Sequence, residues 1–418
     1  MERALIIALF GTRDNESDIR DIVDEMVMLS QTAGAEILNV FIQKRDKPDK
    51  KYMIGKGKAA EIRSFNSIYN IETVIVYNNL NNIQQRNLEN FFKIKVIDRT
   101  RLILDIFATR AQSLEGKLQV ELAQLLYLLP RLVGRGLELS RLGGGIGTRG
   151  PGETKLEVDR RTINKRISII KKRLKTVIKN RDIQRKNRLE SPVPIVSLVG
   201  YTSAGKSTLF KKLTGEDVLI SKKLFSTLDP VLRRVDLSEI KEGYYFLLSD
   251  TVGFIRSMPK ELFTSFRATL EEVVKSDIVL LVVDISKPDY MNRIKIVENV
   301  LNDMNIEHNK IIYVYNKIDL IDDFIVDDFI YTNRVYVSAL KGNGIKELKK
   351  MIFDSYFKDY ERFEIEMNKS DFNEKTLKKW AIIRSIEGKN DKIKLEILCN
   401  KEKMVKFIKS LKENNNED

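Results

Sequence analysis

The stretch Val193-Pro194-Ile195-Val196-Ser197-Leu198-Val199-Gly200-Tyr201-Thr202-Ser203-Ala204-Gly205-Lys206-Ser207-Thr208-Leu209-Phe210-Lys211-Lys212-Leu213 decides the fold. Its middle, Gly200 to Ser207, fits G-x-x-x-x-G-K-[ST], a loop that cradles phosphates. The apolar run before it reads as a buried parallel strand, and the residues after it as the first turns of a helix. The glycines let the backbone N–H groups of Gly200, Tyr201, Thr202, Ser203, Ala204 and Gly205 converge on phosphate oxygens. The helix N-terminus adds positive potential there. Lys206 is expected to reach the β- and γ-phosphates, and the Ser207 hydroxyl to ligate Mg²⁺.

Later segments choose the base. Asn316-Lys317-Ile318-Asp319 follows an apolar run, Lys310–Tyr315. The Asp319 carboxylate can accept from guanine N1–H and its 2-amino group, whereas adenine would leave it unpaired, which is costly. Asn316 would meet the O6/N7 side or brace the phosphate loop, and the Lys317 stem would lie along the base plane. Backbone N–H groups of Ser338-Ala339-Leu340, after the next strand, can donate to O6. Asp250-Thr251-Val252-Gly253 ends the Tyr244–Leu248 strand, and Asp250 would hold Mg²⁺ through a water. The Gly253 N–H would bond the γ-phosphate, so that segment can sense hydrolysis. Within Phe225-Ser226-Thr227-Leu228-Asp229, either adjacent hydroxyl could complete the Mg²⁺ shell. The residue after Gly253 is Phe254, where many GTPases place a water-orienting glutamine. Slow hydrolysis alone, with a partner completing the site, is the expectation.

At 418 residues the chain exceeds one ordinary core. The reading is an α/β protein of four parts: a parallel α/β domain at 1–97, a helical hairpin with a Gly/Arg-rich loop at 98–190, a P-loop GTPase domain at 191–356, and a small α+β module at 357–418. No apolar run approaches the ~18 residues of a membrane span, so stable membrane insertion is not expected. The single cysteine, Cys399, excludes a disulfide framework. A cytoplasmic monomer fits.

The net charge is +14, which favours a polyanionic partner if it clusters. It does. Residues 155–189 read as one helix with an apolar stripe of Ile163, Ile167, Ile170, Leu174, Val177 and Ile178. Its other face is almost wholly basic, including Arg160, Arg161, Lys165 and Arg166. Opposite signs normally alternate on a solvated face, so one sign this dominant reads as phosphate contact. The glycine-rich loop Leu142–Gly152 precedes it, with Arg141 and Arg149 at hand. RNA is the expected ligand of these residues. A static RNA-binding module, or a switch directed at a protein or membrane, are the competing functions.

Taken together, Gly200–Phe210, Phe225–Asp229, Asp250–Phe254 and Asn316–Asp319 resemble the HflX family of translational GTPases, within the Obg–HflX group. So do segments outside the nucleotide motifs: Val96–Thr100, Gly116–Leu126, Leu129–Leu132 and Gly143–Arg161. The resemblance covers nearly the whole chain. It implies GTP and GDP as ligands, Mg²⁺ as cofactor, and Thr227 as the switch threonine that ligates it. Lys206, Thr227 and Gly253 are then the catalytic candidates. It also implies binding to rRNA of the large ribosomal subunit, and a stress-linked role in splitting or rescuing stalled ribosomes. Ser203 fills a position where the family often carries asparagine.

Overall fold

The computed structural model describes residues 1–132, 155–189, 191–215, 231–250, 253–256, 272–321, 331–389 and 391–414. Phe225, Ser226, Thr227, Leu228, Asp229, Thr251, Val252, Arg141, Arg149 and the glycine-rich loop lie outside them.

The first sheet has four parallel strands: β1 (Glu2–Phe10), β2 (Ala35–Lys44), β3 (Thr73–Val76) and β4 (Lys95–Asp98), in the order β2-β1-β3-β4. Residues Ala4–Phe10 of β1 are all buried, as a continuous apolar run in a parallel sheet requires. Helices α1 (Glu16–Thr32), α2 (Lys56–Tyr69) and α3 (Asn82–Phe92) connect the strands. Their starts are specified locally. The Asn15 side chain accepts from the Ser17 N–H, and Asn81 with Gln84 forms a reciprocal capping box.

After β4 the chain enters α4 (Arg99–Arg110) and α5 (Leu114–Leu128), then a 3₁₀ turn at Leu129–Leu132. The break between the helices falls at Ala111–Ser113, where the Ser113 hydroxyl accepts from the Gly116 N–H. The long helix read at 155–189 is present as α6 (Lys155–Leu189). Its Ile167, Ile170 and Leu174 bury against Leu118 and Leu122 of α5, with Ile163 at the margin. That accounts for most of the apolar stripe in the sequence.

The central sheet has six strands: β5 (Ile195–Gly200), β6 (Val231–Asp236), β7 (Tyr245–Asp250), β8 (Ile278–Asp284), β9 (Ile311–Asn316) and β10 (Arg334–Val337). Their order is β10-β9-β8-β5-β7-β6, with β6 alone antiparallel. β6 is an edge strand that the apolar pattern does not announce, because only Val235 is buried. Helices α7 (Lys206–Thr214), α8 (Tyr290–Asp303) and α9 (Ile345–Tyr356) accompany this sheet. Five parallel strands bring Gly200, Asp250, Asp284, Asn316 and Val337 to one edge. The register sets Leu198 beside Asp250, Gly200 beside Val282, and Asn316 between Asp284 and Val337. Ligands bind at this carboxyl edge in open α/β sheets.

The last strands, β11 (Tyr360–Asn368), β12 (Ala381–Lys389) and β13 (Lys392–Asn400), form an antiparallel sheet in the order β11-β13-β12. A short helix α10 (Glu374–Leu377) and α11 (Lys401–Asn414) complete the module. Cys399 is buried on β13, which pushes its thiol up to about 12. The module is fastened to the central domain where the Tyr244 hydroxyl donates to Tyr360 O and Arg384 pairs with Glu242. Among the described residues, no helix is long and apolar enough to cross a membrane.

Candidate nucleotide site

The phosphate loop joins β5 to α7. Two of its glycines are required by space as well as by conformation. Gly200 has φ +151, and a Cβ there would lie 2.3 Å from Val282 O. Gly205 has φ +97, and its Cβ would lie 2.2 Å from Asn316 Nδ2. Ser203, at φ +63, takes the left-handed conformation that asparagine tolerates better than serine.

Lys206 is buried, and its Nζ donates to Gly200 O (3.0 Å) and Tyr201 O (2.9 Å). Burial pushes its ammonium down to about 8, partly opposed by the Asp250 carboxylate. Two neutral carbonyls replace only part of the water an ammonium loses. Anionic oxygens would restore its charge.

On the base side, the Asn316 Nδ2 donates to Ala204 O (2.8 Å), and its Oδ1 accepts from the Ala339 N–H (3.0 Å). Of the two roles open to it, the geometry is that of a brace between the phosphate loop and the Ser338–Leu340 loop. The Ser338 hydroxyl donates to Asp319 Oδ1 at 2.5 Å and accepts from the Lys341 N–H. The Ser338 N–H donates to Asn343 O, so this loop is ordered by its own bonds. Lys317, at φ +68, sends its Nζ to Asp284 Oδ2 at 2.6 Å. Nothing in the sequence pattern singled out Asp284. Its signal is an acidic residue ending an otherwise apolar strand.

On the phosphate side, Ser207 Oγ and Asp250 Oδ2 are 3.4 Å apart. A hydroxyl and a carboxylate are hard oxygen donors, and this pair fits Mg²⁺ bound jointly with phosphate and water. Among the described residues, no cluster of three His, Cys, Asp or Glu side chains could hold a metal by itself. Gly253 sits against the lysine, since a Cβ on it would lie 3.0 Å from Lys206 Nζ. Phe254 is zipped to the phosphate loop, its N–H donating to Gly200 O and its carbonyl accepting from the Thr202 N–H. Its side chain is 2% exposed.

Three family models match in order along the chain: a GTP-binding GTPase N-terminal region over residues 20–108, a GTP-binding GTPase middle region over 110–188, and a 50S ribosome-binding GTPase over 195–317. The GTPase HflX of Caldanaerobacter subterraneus subsp. tengcongensis is 44% identical over 412 residues, covering 97% of this chain and 94% of that one. The chain belongs to the GTPase HflX family. The Escherichia coli GTPase HflX is 44% identical over 351 residues, covering 83% of this chain and 81% of its own. A GTP-binding protein of Sulfolobus solfataricus in complex with GDP is 24% identical, covering 86% of this chain and 99% of that one, with a TM-score of 0.47.

Like its HflX relatives, the chain is a GTP-binding P-loop GTPase, and GTPases of this type generally use Mg²⁺. In this HflX-family chain the place of a water-orienting glutamine is held by a buried phenylalanine. Of the basic residues named for RNA, Arg160, Arg161, Lys165 and Arg166 lie on α6 and are all exposed. Arg166 is paired with Glu121 through two bonds of 2.6 and 2.9 Å. From Arg160 to Lys179 the helix has nine basic residues and no acidic one.

Proposed function

We propose that this chain is a GTP-operated switch that binds the large ribosomal subunit through rRNA, with Arg160, Arg161 and Lys165 among its phosphate contacts. The observation that carries the reading is the exposed face of α6, which from Arg160 to Lys179 has basic residues and no acidic one. The description of the matching family model, a 50S ribosome-binding GTPase, supports it. The family resemblance extends the reading to splitting or rescuing stalled ribosomes under stress. The protein works in the cytoplasm as a monomer, with four working parts at 1–97, 98–190, 191–356 and 357–418.

Within the site, the loop Gly200–Ser207 cradles the phosphates with its backbone N–H groups other than those of Thr202 and Ala204, which donate to Phe254 O and Tyr201 O, and Lys206 bonds the β- and γ-oxygens. The Gly253 N–H meets the γ-phosphate. Ser207 and Thr227 would hold Mg²⁺, with Asp250 acting through a water. When bound, Mg²⁺ neutralises charge on the phosphate oxygens. Asp319 reads the guanine edge and the Lys317 stem lies along the base; because the Ser338 and Ala339 N–H groups donate to Asn343 O and Asn316 Oδ1, the contact of Ser338–Leu340 to O6 falls to the Leu340 N–H. The chain supplies positioning and charge stabilisation. It supplies no side chain at Phe254 to orient water, so a partner completes hydrolysis.

Co-sedimentation with purified large subunits tests the RNA contacts. Replacing Arg160, Arg161 and Lys165 by alanine should reduce the slope of log affinity against log salt by about three. GTP affinity should stay unchanged. Undiminished ribosome binding by this variant would remove α6 from the interface. Absence of any ribosome binding by the native chain would leave a protein- or membrane-directed switch.

A further inference from the structure

The Lys317 ammonium and the Asp284 carboxylate meet at 2.6 Å. They come from the ends of neighbouring parallel strands, β9 and β8, whose register pairs Asp284 with Asn316. Lys317 follows directly, and its φ of +68 is a conformation that residues with a Cβ rarely adopt. The geometry around this pair needs an account, because a surface ion pair alone is a weak reason for an unfavourable backbone.

Asp284 is fixed before the lysine arrives. It is 4% exposed, and its Oδ1 accepts from both the Ser286 N–H (3.1 Å) and the Ser286 hydroxyl (2.6 Å). That leaves Oδ2 for Lys317. The lysine is therefore held at both ends, by the left-handed backbone at one and by a buried carboxylate at the other. Its four-carbon stem is stretched between them, while its side chain stays 30% exposed. A free lysine side chain has many rotamers, and ordering it on binding would weaken the complex. Here the ordering is done in advance.

We propose that Asp284 is a positioning residue for guanine recognition. It holds the Lys317 stem flat where the face of the base lies, so a carboxylate that does not touch the nucleotide sets part of the affinity. The inference rests on the guanine site proposed above, with Lys317 along the base. Ser286 serves it in turn by orienting Asp284.

The test uses the full chain, a fluorescent GDP analogue displaced by GDP, and steady-state GTP turnover. Asp284→Asn keeps the shape and removes the charge. It should weaken GDP binding about three- to tenfold and raise KM for GTP by the same factor, with kcat unchanged. Lys317→Met should also weaken GDP binding. In the Lys317→Met background, Asp284→Asn should change affinity by no more than about twofold, because its effect passes through the lysine. An equal loss in both backgrounds would overturn the inference, since Asp284 would then act on the fold. So would unchanged GDP affinity in Asp284→Asn alone. If Lys317→Met left GDP affinity intact, the guanine-site assignment itself would fall, and the inference with it. Should Asp284→Asn not fold, Ser286→Ala takes its place in the same cycle. It should give a smaller loss that again disappears without the lysine, and a loss that persisted would count against the proposal.

Discussion

The N-terminal sheet and the central sheet are both parallel, yet the carboxyl end of β4 is closed by the protein itself while the end of β5 is left for a ligand. Asp98, at the end of β4, is fully buried and accepts four bonds. These come from the Arg101 N–H (2.9 Å), the Tyr127 hydroxyl (2.9 Å), Arg131 Nη2 (2.8 Å) and the Leu80 N–H (3.4 Å). The Arg131 guanidinium also lies 3.6 Å over the Tyr127 ring and donates to Leu80 O and Tyr127 O. Every strong demand of that carboxylate is met internally. At the end of β5, Lys206 has two carbonyls and a depressed pKa. The same α/β logic thus yields a structural joint in one sheet and a binding site in the other, and charge satisfaction separates them.

Substitutions should separate the two ends. Asp98→Ala takes the counter-ion from Arg131, whose side chain is 19% exposed, and removing one member of a largely buried pair costs about 3 kcal/mol. Urea unfolding should show this loss while GDP affinity stays native. Lost affinity with native stability would make the β4 end a site. Lys206→Ala should do the reverse. Losing two charge-assisted bonds to phosphate weakens GTP binding about a hundredfold, read by nucleotide titration. Unfolding of the nucleotide-free protein should be unchanged or slightly harder, since a poorly solvated charge is gone.

The pH dependence is the finer contrast. The folded pKa of Lys206 is lowered from 10.5 to about 8. Between those values the unfolded chain binds the extra proton, so this group's destabilising effect is full below about pH 8 and fades as pH rises toward 10.5. Nucleotide binding needs the ammonium. Affinity for GDP should be level below about pH 8 and fall above it, by at most about tenfold per pH unit. Calorimetry in buffers of different ionisation enthalpy should detect proton uptake on binding at pH 8.5, and Lys206→Ala should abolish it. Absence of uptake in the native chain would mean that Lys206 is not the depressed group.

Much of this was legible in the sequence because it is local. Gly200, Gly205 and Lys206 lie within one turn, and Asn316 and Asp319 within another, so spacing alone reveals them. The apolar stripe of α6 survives as Ile167, Ile170 and Leu174 because helical period and burial agree. What the sequence hid depends on distant contacts. Asp284 and Lys317 are 33 residues apart and meet only because β8 and β9 pair in register. Asp98 and Arg131 are likewise 33 apart. β6 escaped because an edge strand needs little apolar content.

We propose that the large ribosomal subunit completes a GTP site that carries Phe254 in place of a water-orienting side chain. GTP turnover by the purified chain, measured with and without purified large subunits at one salt concentration, tests it most directly. The prediction is slow turnover alone and stimulation of at least about a hundredfold with saturating subunits, within the range a partner in trans supplies to GTPases. Equal rates in the two conditions would contradict it.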